Sequence, residues 1–297
     1  MGALPLASDI TAPTAGQRFR RRFLGHYSLV FGTLLLGLIV LVALAAPWIA
    51  PYDPYAQVLA DNLIPPVWHE NGAWTHPLGT DHLGRDYLSR IIFGARISLM
   101  IGFLAALVSG VIGTALGVAA GYFRGKVDLV VTFLITVRLS MPVVIVALAT
   151  VAIVGGSLQV MITVIGLLLW DRYAVVVRSA TMQACSNDYV AAARAVGCST
   201  TRIVLSEVLP NVLNHIIIVA TLEMAHAILL EAALSFLGLG VQPPLPSWGL
   251  MISEGRQSIL FDQWLIAIPG LSLMLLVFAI NMVGDGMRDV TAPENRA

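Results

Sequence analysis

LVFGTLLLGLIVLVALAAPWIA, residues 29–50, carries no charge over its whole length. A bilayer core ~30 Å thick is crossed by ~20 apolar residues wound as a helix, so this stretch reads as a membrane span. It follows the basic cluster Arg18, Arg20, Arg21 and Arg22. Small residues at Ala43, Ala45 and Ala46 raise the alternative of a cleaved signal peptide, but the run exceeds the ~7–15 apolar residues of a signal core. An uncleaved anchor is therefore expected.

Five more spans follow outward from it. They are expected near 97–120, 129–151, 158–177, 212–233 and 264–283, giving an all-α polytopic membrane protein with about six transmembrane helices. The second contains Gly113, Gly117 and Gly121 at four-residue spacing, a pattern that lets helix backbones approach closely in lipid. Gly155-Gly156-Ser157 supplies a turn between the third and fourth. The composition agrees: 58% of the 297 residues are hydrophobic and 11% charged, against roughly 25% charged in an average soluble protein. Formal net charge is zero, which removes any electrostatic footprint for nucleic acid.

Six spans put both termini on one side, and the positive-inside rule chooses which. With the termini cytoplasmic, that side receives twelve basic residues, including Arg124, Lys126, Arg172, Arg178, Arg194 and Arg202. The other side receives four: Arg85, Arg90, Arg96 and Arg256. The expected organisation is a permease domain over 24–288 between cytoplasmic tails 1–23 and 289–297. Two long outer segments, near 51–95 and 234–262, and one long inner segment, near 178–210, complete it. Cys185 and Cys198 fall in the inner segment and read as free thiols.

The inner segment holds SNDYVAAARAVGCSTTRIVLSEVLPN, residues 186–211. Asn187 or Asp188 caps a short helix, Gly197 breaks it, and Ser199 or Thr200 opens a second helix ending near Pro210. The small face of Ala191, Ala192, Ala193 and Ala195 suits docking against another protein better than it suits a soluble loop.

YVAAARAVG followed by LPN resembles the EAA loop of ABC importer permeases. HPLGTDHLGRDYLSRIIFGARISL (76–99), EAALSFLGLGVQPPLPSWGLMISEGR (231–256) and GDGMRD (284–289) resemble the C-type permeases of dipeptide and oligopeptide importers. The resemblance covers the chain from Leu24 onward. It implies a type I importer permease fold and a coupling helix received by an ATPase groove. The coupling role falls on Asp188, Tyr189, Ala191, Ala192, Ala193, Gly197, Arg202 and Pro210, with Ala191 at the position of the family's glutamate. It further implies a second, different permease, two ATPases that bind ATP and magnesium, and a periplasmic or lipid-anchored binding protein, all at a bacterial inner membrane. The family's third span usually carries an arginine and then an aspartate; this chain has Phe133 and Thr136 there, with Arg138 nearby. The tail reads TAPEN where an LDP-type ending is common. Peptides are the expected cargo, with nickel complexes, opines or glutathione as alternatives.

No phosphate-binding G-x-x-x-x-G-K-[ST] loop occurs, and no catalytic triad or zinc motif marks an embedded enzyme. A secondary transporter would show broken helices in matching positions of two halves. An outer metal cluster of His69, Glu70, His76, Asp81, His82 and Asp86 is less favoured than carboxylates and arginines paired locally in GTDHLGRD. Glu223, His226 and Glu231 share one side of the fifth span, and ionisable groups at that depth usually face a bundle interior or a wet cavity. They are candidate pathway lining, together with Arg138. The alternative is a structural pair of Glu223 with Arg138.

Overall fold

The computed structural model describes residues 25–291. The N-terminal tail with its four arginines and residues 292–297 lie outside the described residues. Helix α1 spans Tyr27–Ile49, α2 Tyr87–Phe123, α3 Gly125–Leu139 and α4 Val143–Val154. Then come α5 Leu158–Leu168, α6 Trp170–Ala184, α7 Asp188–Ala195, α8 Thr200–Phe236, α9 Trp248–Gly255 and α10 Trp264–Thr291. Among the described residues there is no strand beyond one isolated bridge, Thr80 with Asp86.

Five helical segments are long and apolar enough to cross a membrane: α1, α2, α5 with α6, α8 and α10. The third expected span is not one helix. α3 and α4 meet at a bend of 83°, at Ser140-Met141-Pro142. Proline donates no backbone hydrogen bond and drives the residue before it out of helical geometry, so an apolar run alone does not keep this span straight. The fourth span is longer than expected and jogs at Leu169, where φ and ψ are −106° and 17°.

α2 is the central post, packed by α1, α5, α6 and α8. At about 1.5 Å per residue its 37 residues reach about 55 Å, well beyond the hydrocarbon core. Its lower half meets α6 through the glycine ladder. A side chain at Gly117 would put its first carbon 2.9 Å from the Ala174 carbonyl oxygen, and at Gly121 2.7 Å from that of Arg178. Close backbone approach is therefore what these glycines provide. α10 packs along α1, and His26 Nε2 lies 3.0 Å from Asp289 Oδ2. The two ends of the described chain thus sit at the same end of the bundle. α10 runs through 289–291, where a tail was expected.

At the opposite end, residues 50–86, the first turns of α2 and helix α9 form a compact cap. Asp86 caps α2 by accepting from Ser89 N at 2.8 Å, and its other oxygen lies 2.9 Å from His76 Nδ1. Arg85 Nε donates to Asp81 Oδ2 at 2.7 Å, and Arg90 donates to the same oxygen. Both guanidiniums also reach Glu254 on α9. All four side chains lie within the cap, Arg90 fully buried. Burial alone would raise the Asp81 carboxyl, but Arg90 and Arg85 together with two backbone N–H groups hold it below its usual value.

Candidate functional sites: a docking knob and a charged seam

The knob begins where α6 ends. Asn187 occupies the capping position with extended backbone but makes no side-chain cap, and α7 runs over the eight residues Asp188–Ala195. Gly197 adopts φ +83°, a left-handed conformation that glycine reaches without steric cost. Gly197 N donates to Arg194 O and Cys198 N to Ala193 O, both at 3.0 Å. These two bonds form a complete Schellman stop. Ser199 then caps α8 by accepting from Arg202 N at 3.4 Å.

One face of α7 anchors it. Val190 is fully buried in a cluster with Val177, Ile203, Val208 and Val212, on which Ala193 and Cys198 pack. Arg194 lies over the Tyr122 ring at 5.1 Å, tying the knob to the end of α2. The other face is uncovered: Ala191, Ala192, Ala195 and Gly197 are exposed, and Val196 is 85% exposed. Asp188, Tyr189 and Arg202 are exposed as well.

Pro210 does not end the second helix. α8 continues through it to Phe236, with Ile203–Val208 wound as a π-turn just before it and Leu209 N donating to Val204 O. A proline ring clashes with the carbonyl four residues back. Widening the preceding turn relieves that clash and keeps the helix continuous.

The seam is the set of charged contacts joining α3, α5, α6 and α8. Nearest the knob, Arg178 on α6 forms a two-pronged pair with Asp128 on α3, its Nη2 donating at 2.8 Å. At the jog, Arg138 Nε donates to the Leu168 carbonyl at 2.8 Å. That carbonyl lies at the end of α5, where the helix leaves it without an intrahelical partner. Arg138 therefore serves the helix break and does not meet Glu223. The partner of Glu223 is Arg172, whose Nη1 lies 3.4 Å from Oε1, with His226 Nδ1 3.8 Å from Oε2. Glu223 is fully buried, and neither of its oxygens accepts a hydrogen bond among the described residues. Its contacts are electrostatic proximity alone.

Glu231 parts company with Glu223 and His226. It is buried under the cap and accepts from Ser235 Oγ at 2.7 Å and Ser247 Oγ at 2.9 Å, joining α8 to the start of α9. His226 is partly exposed beside Glu223. Arg172 is the residue that charge counting missed: it is counted among the cytoplasmic charges although it falls inside the span expected over 158–177. In the structure it lies two residues into α6, within a segment that runs from Leu158 to Ala184.

Residues 113–296 match the family model described as the binding-protein-dependent transport system inner membrane component. The chain belongs to that family. Residues 14–66 match a second model, the N-terminal TM domain of oligopeptide transport permease C. Among curated relatives of this permease is the di/tripeptide transport system permease protein DppC of Pseudomonas aeruginosa. It is 41% identical over 97% of this chain and 96% of its own length. The dipeptide transport system permease protein DppC of Escherichia coli K12 is 38% identical over 96% of each chain. The glutathione transport system permease protein GsiD of Pectobacterium atrosepticum is 34% identical over 99% of this chain and 96% of its own. A solved inward-facing structure of the MetNI methionine ABC transporter has a chain that superposes with a TM-score of 0.56 at 20% identity. That match covers 68% of this permease and 96% of the MetNI chain, and it supports the fold. The permease is a multi-pass inner-membrane transport component.

Proposed function

We propose that this permease forms half of the translocation pore of an ATP-driven importer of di- and oligopeptides. A second, different permease supplies the other half, two ATPases bind the knob side, and a periplasmic or lipid-anchored binding protein delivers cargo to the cap. Both termini are then cytoplasmic. ATP and magnesium belong to the ATPases, and this chain makes and breaks no bonds. Peptide cargo is supported by the names of the DppC relatives; the GsiD relative makes glutathione, itself a peptide, the nearest alternative.

The observation that carries the reading is the knob. It is a short helix with a fixed stop, anchored by Val190 on one face and bare on the other. Apolar surface left to water at the end of a membrane bundle marks a protein interface. Closing the ATPases would draw this knob toward its counterpart on the second permease and bias the spans between inward- and outward-open states.

The test is crosslinking in the assembled importer, with Cys185 and Cys198 replaced by Ser. A cysteine at Ala192 is expected to crosslink to an ATPase subunit and one at Leu260 to none. In sealed cells, labels at residues 70 and 245 should react from outside and labels at 125 and 200 only after permeabilisation. Reaction of residue 200 from outside would overturn the orientation. Absence of any ATPase crosslink from the bare face of α7 would overturn the docking role.

A further inference from the structure

The Arg172–Glu223 pair is asymmetric. Glu223 is wholly buried, whereas the Arg172 side chain is 56% exposed. Among the described residues no hydrogen bond involves the Arg172 guanidinium, whose one close contact is the Glu223 carboxylate at 3.4 Å, so its donors remain available to a partner outside this chain. A charge facing lipid at the centre of a span costs ~2.5–3.5 kcal/mol on insertion scales. The exposed side of Arg172 therefore faces water or a polar partner. His226 is partly exposed at the same place, so the ionisable surface is continuous across α6 and α8.

We infer that Arg172 is an anion-recognising group on the transport path, and that the anion it takes is the C-terminal carboxylate of the passing peptide. This rests on the peptide-importer reading above. A guanidinium presents a planar fork of donors that fits a carboxylate with two parallel bonds. Peptides of unrelated sequence share their terminal carboxylate and little else, so a path serving many of them has this group in common to read. Glu223 is a positioning residue. Buried beneath the guanidinium, it cannot reach the cargo, and its charge keeps Arg172 at this depth when no anion is present.

The experiment uses the complete permease–ATPase complex in nanodiscs without binding protein. Binding of Ala-Ala and of Ala-Ala amide is followed by saturation-transfer NMR, beside ATP-dependent Ala-Ala uptake in proteoliposomes with the binding protein. Wild type should bind the acid about tenfold or more tighter than the amide, in line with the strength of a hydrogen bond to a charged group. Arg172→Gln should erase that difference and Arg172→Lys should keep part of it. Equal binding of acid and amide by wild type, or acid binding untouched by Arg172→Gln, overturns the inference. So does failure to assemble by both Arg172→Gln and the neutral pair Arg172→Met with Glu223→Gln, which would assign Arg172 to the contact between the two permeases. If wild type takes up no Ala-Ala with ATP, the peptide-importer reading itself fails. If it does so without preferring the acid, only the role of Arg172 fails.

Discussion

The cap and the knob are both loops between spans, at opposite ends of the bundle, and they satisfy their residues in opposite ways. In the cap, Asp81, Arg85, Arg90 and Glu254 turn inward and neutralise one another, with Arg90 fully buried. In the knob, one valine is buried and Ala191, Ala192 and Ala195 are left in water. The difference is between a region that completes itself and a region that is complete only with a partner. Sequence composition alone would suggest the reverse, since the cap is rich in charges and the knob in methyl groups. The first consequence is that charge removal should unfold the cap, whereas charge addition should leave the knob folded but unable to dock.

The largest expected effect is on the cap. Arg90→Met leaves the buried Asp81 and the part-buried Glu254 with Arg85 alone. Breaking a buried ion pair by removing one partner costs ~3–5 kcal/mol. The lower end is expected here, because Arg90 Nε and Nη2 have no hydrogen-bond partner among the described residues. The purified complex should lose its cap first, seen as cleavage between α1 and α2 by a protease added from outside. A variant whose cap resists protease as well as wild type would show that the network contributes nothing net.

Acid should act on the same network. Asp81 is held below its usual value of 3.8. A carboxyl depressed in the folded state adds stability that is present above its unfolded value and is lost as pH falls through the folded one. Protease resistance of the wild-type cap should therefore hold at pH 5 and fail only below the ordinary carboxylate range. Asp81→Asn should lower resistance at pH 7 and flatten this acid dependence. A wild-type cap that loosens between pH 7 and pH 5 would point to a different group.

Much of this contrast was readable in the chain. The spacing of Asp81, Arg85 and Arg90 suggests local pairing, but Glu254 is 169 residues from Arg85, and no local pattern announces it. Gly113, Gly117 and Gly121 are legible as a ladder because close approach demands residues without side chains at fixed spacing. Pro142 is visible, yet hydropathy sums over a bend without sensing it. Pro210 misleads for the opposite reason, since a π-turn absorbs the clash that would otherwise end the helix. Arg172 was hidden by the rule that orients the chain. Counting arginines near span ends assumes that each lies in water, and only the buried Glu223 beneath it shows otherwise.

A moderate effect is expected at the knob's stop. Gly197 sits at φ +83°, where a β-branched residue pays ~1–3 kcal/mol. Gly197→Val should therefore loosen the turn between α7 and α8 without disturbing the spans. Hydrogen exchange should rise in 188–202 and stay unchanged in α2 and α6. Exchange spreading to α2 would mean that the knob is a structural brace for the bundle and not an appendage to it.

The smallest effect on stability, and the one that separates the two regions most sharply, belongs to Ala192→Glu. Ala192 is exposed on the bare face of α7, and surface substitutions away from special features usually change stability by less than ~0.5 kcal/mol. Glutamate is also a good helix former, so the helix itself should persist. Ala193 is a poorer probe, because it packs on the Val190 cluster and a glutamate there would disturb the fold and the surface together. The Ala192→Glu permease should insert, assemble with its partner permease and melt as wild type does, while ATPase co-purification and peptide uptake fall together. Loss of uptake with the ATPases still bound would move α7 from docking to transmission of their motion. Normal uptake would mean that the methyl face is bare because nothing needs it, and the contrast between cap and knob would then be one of composition only.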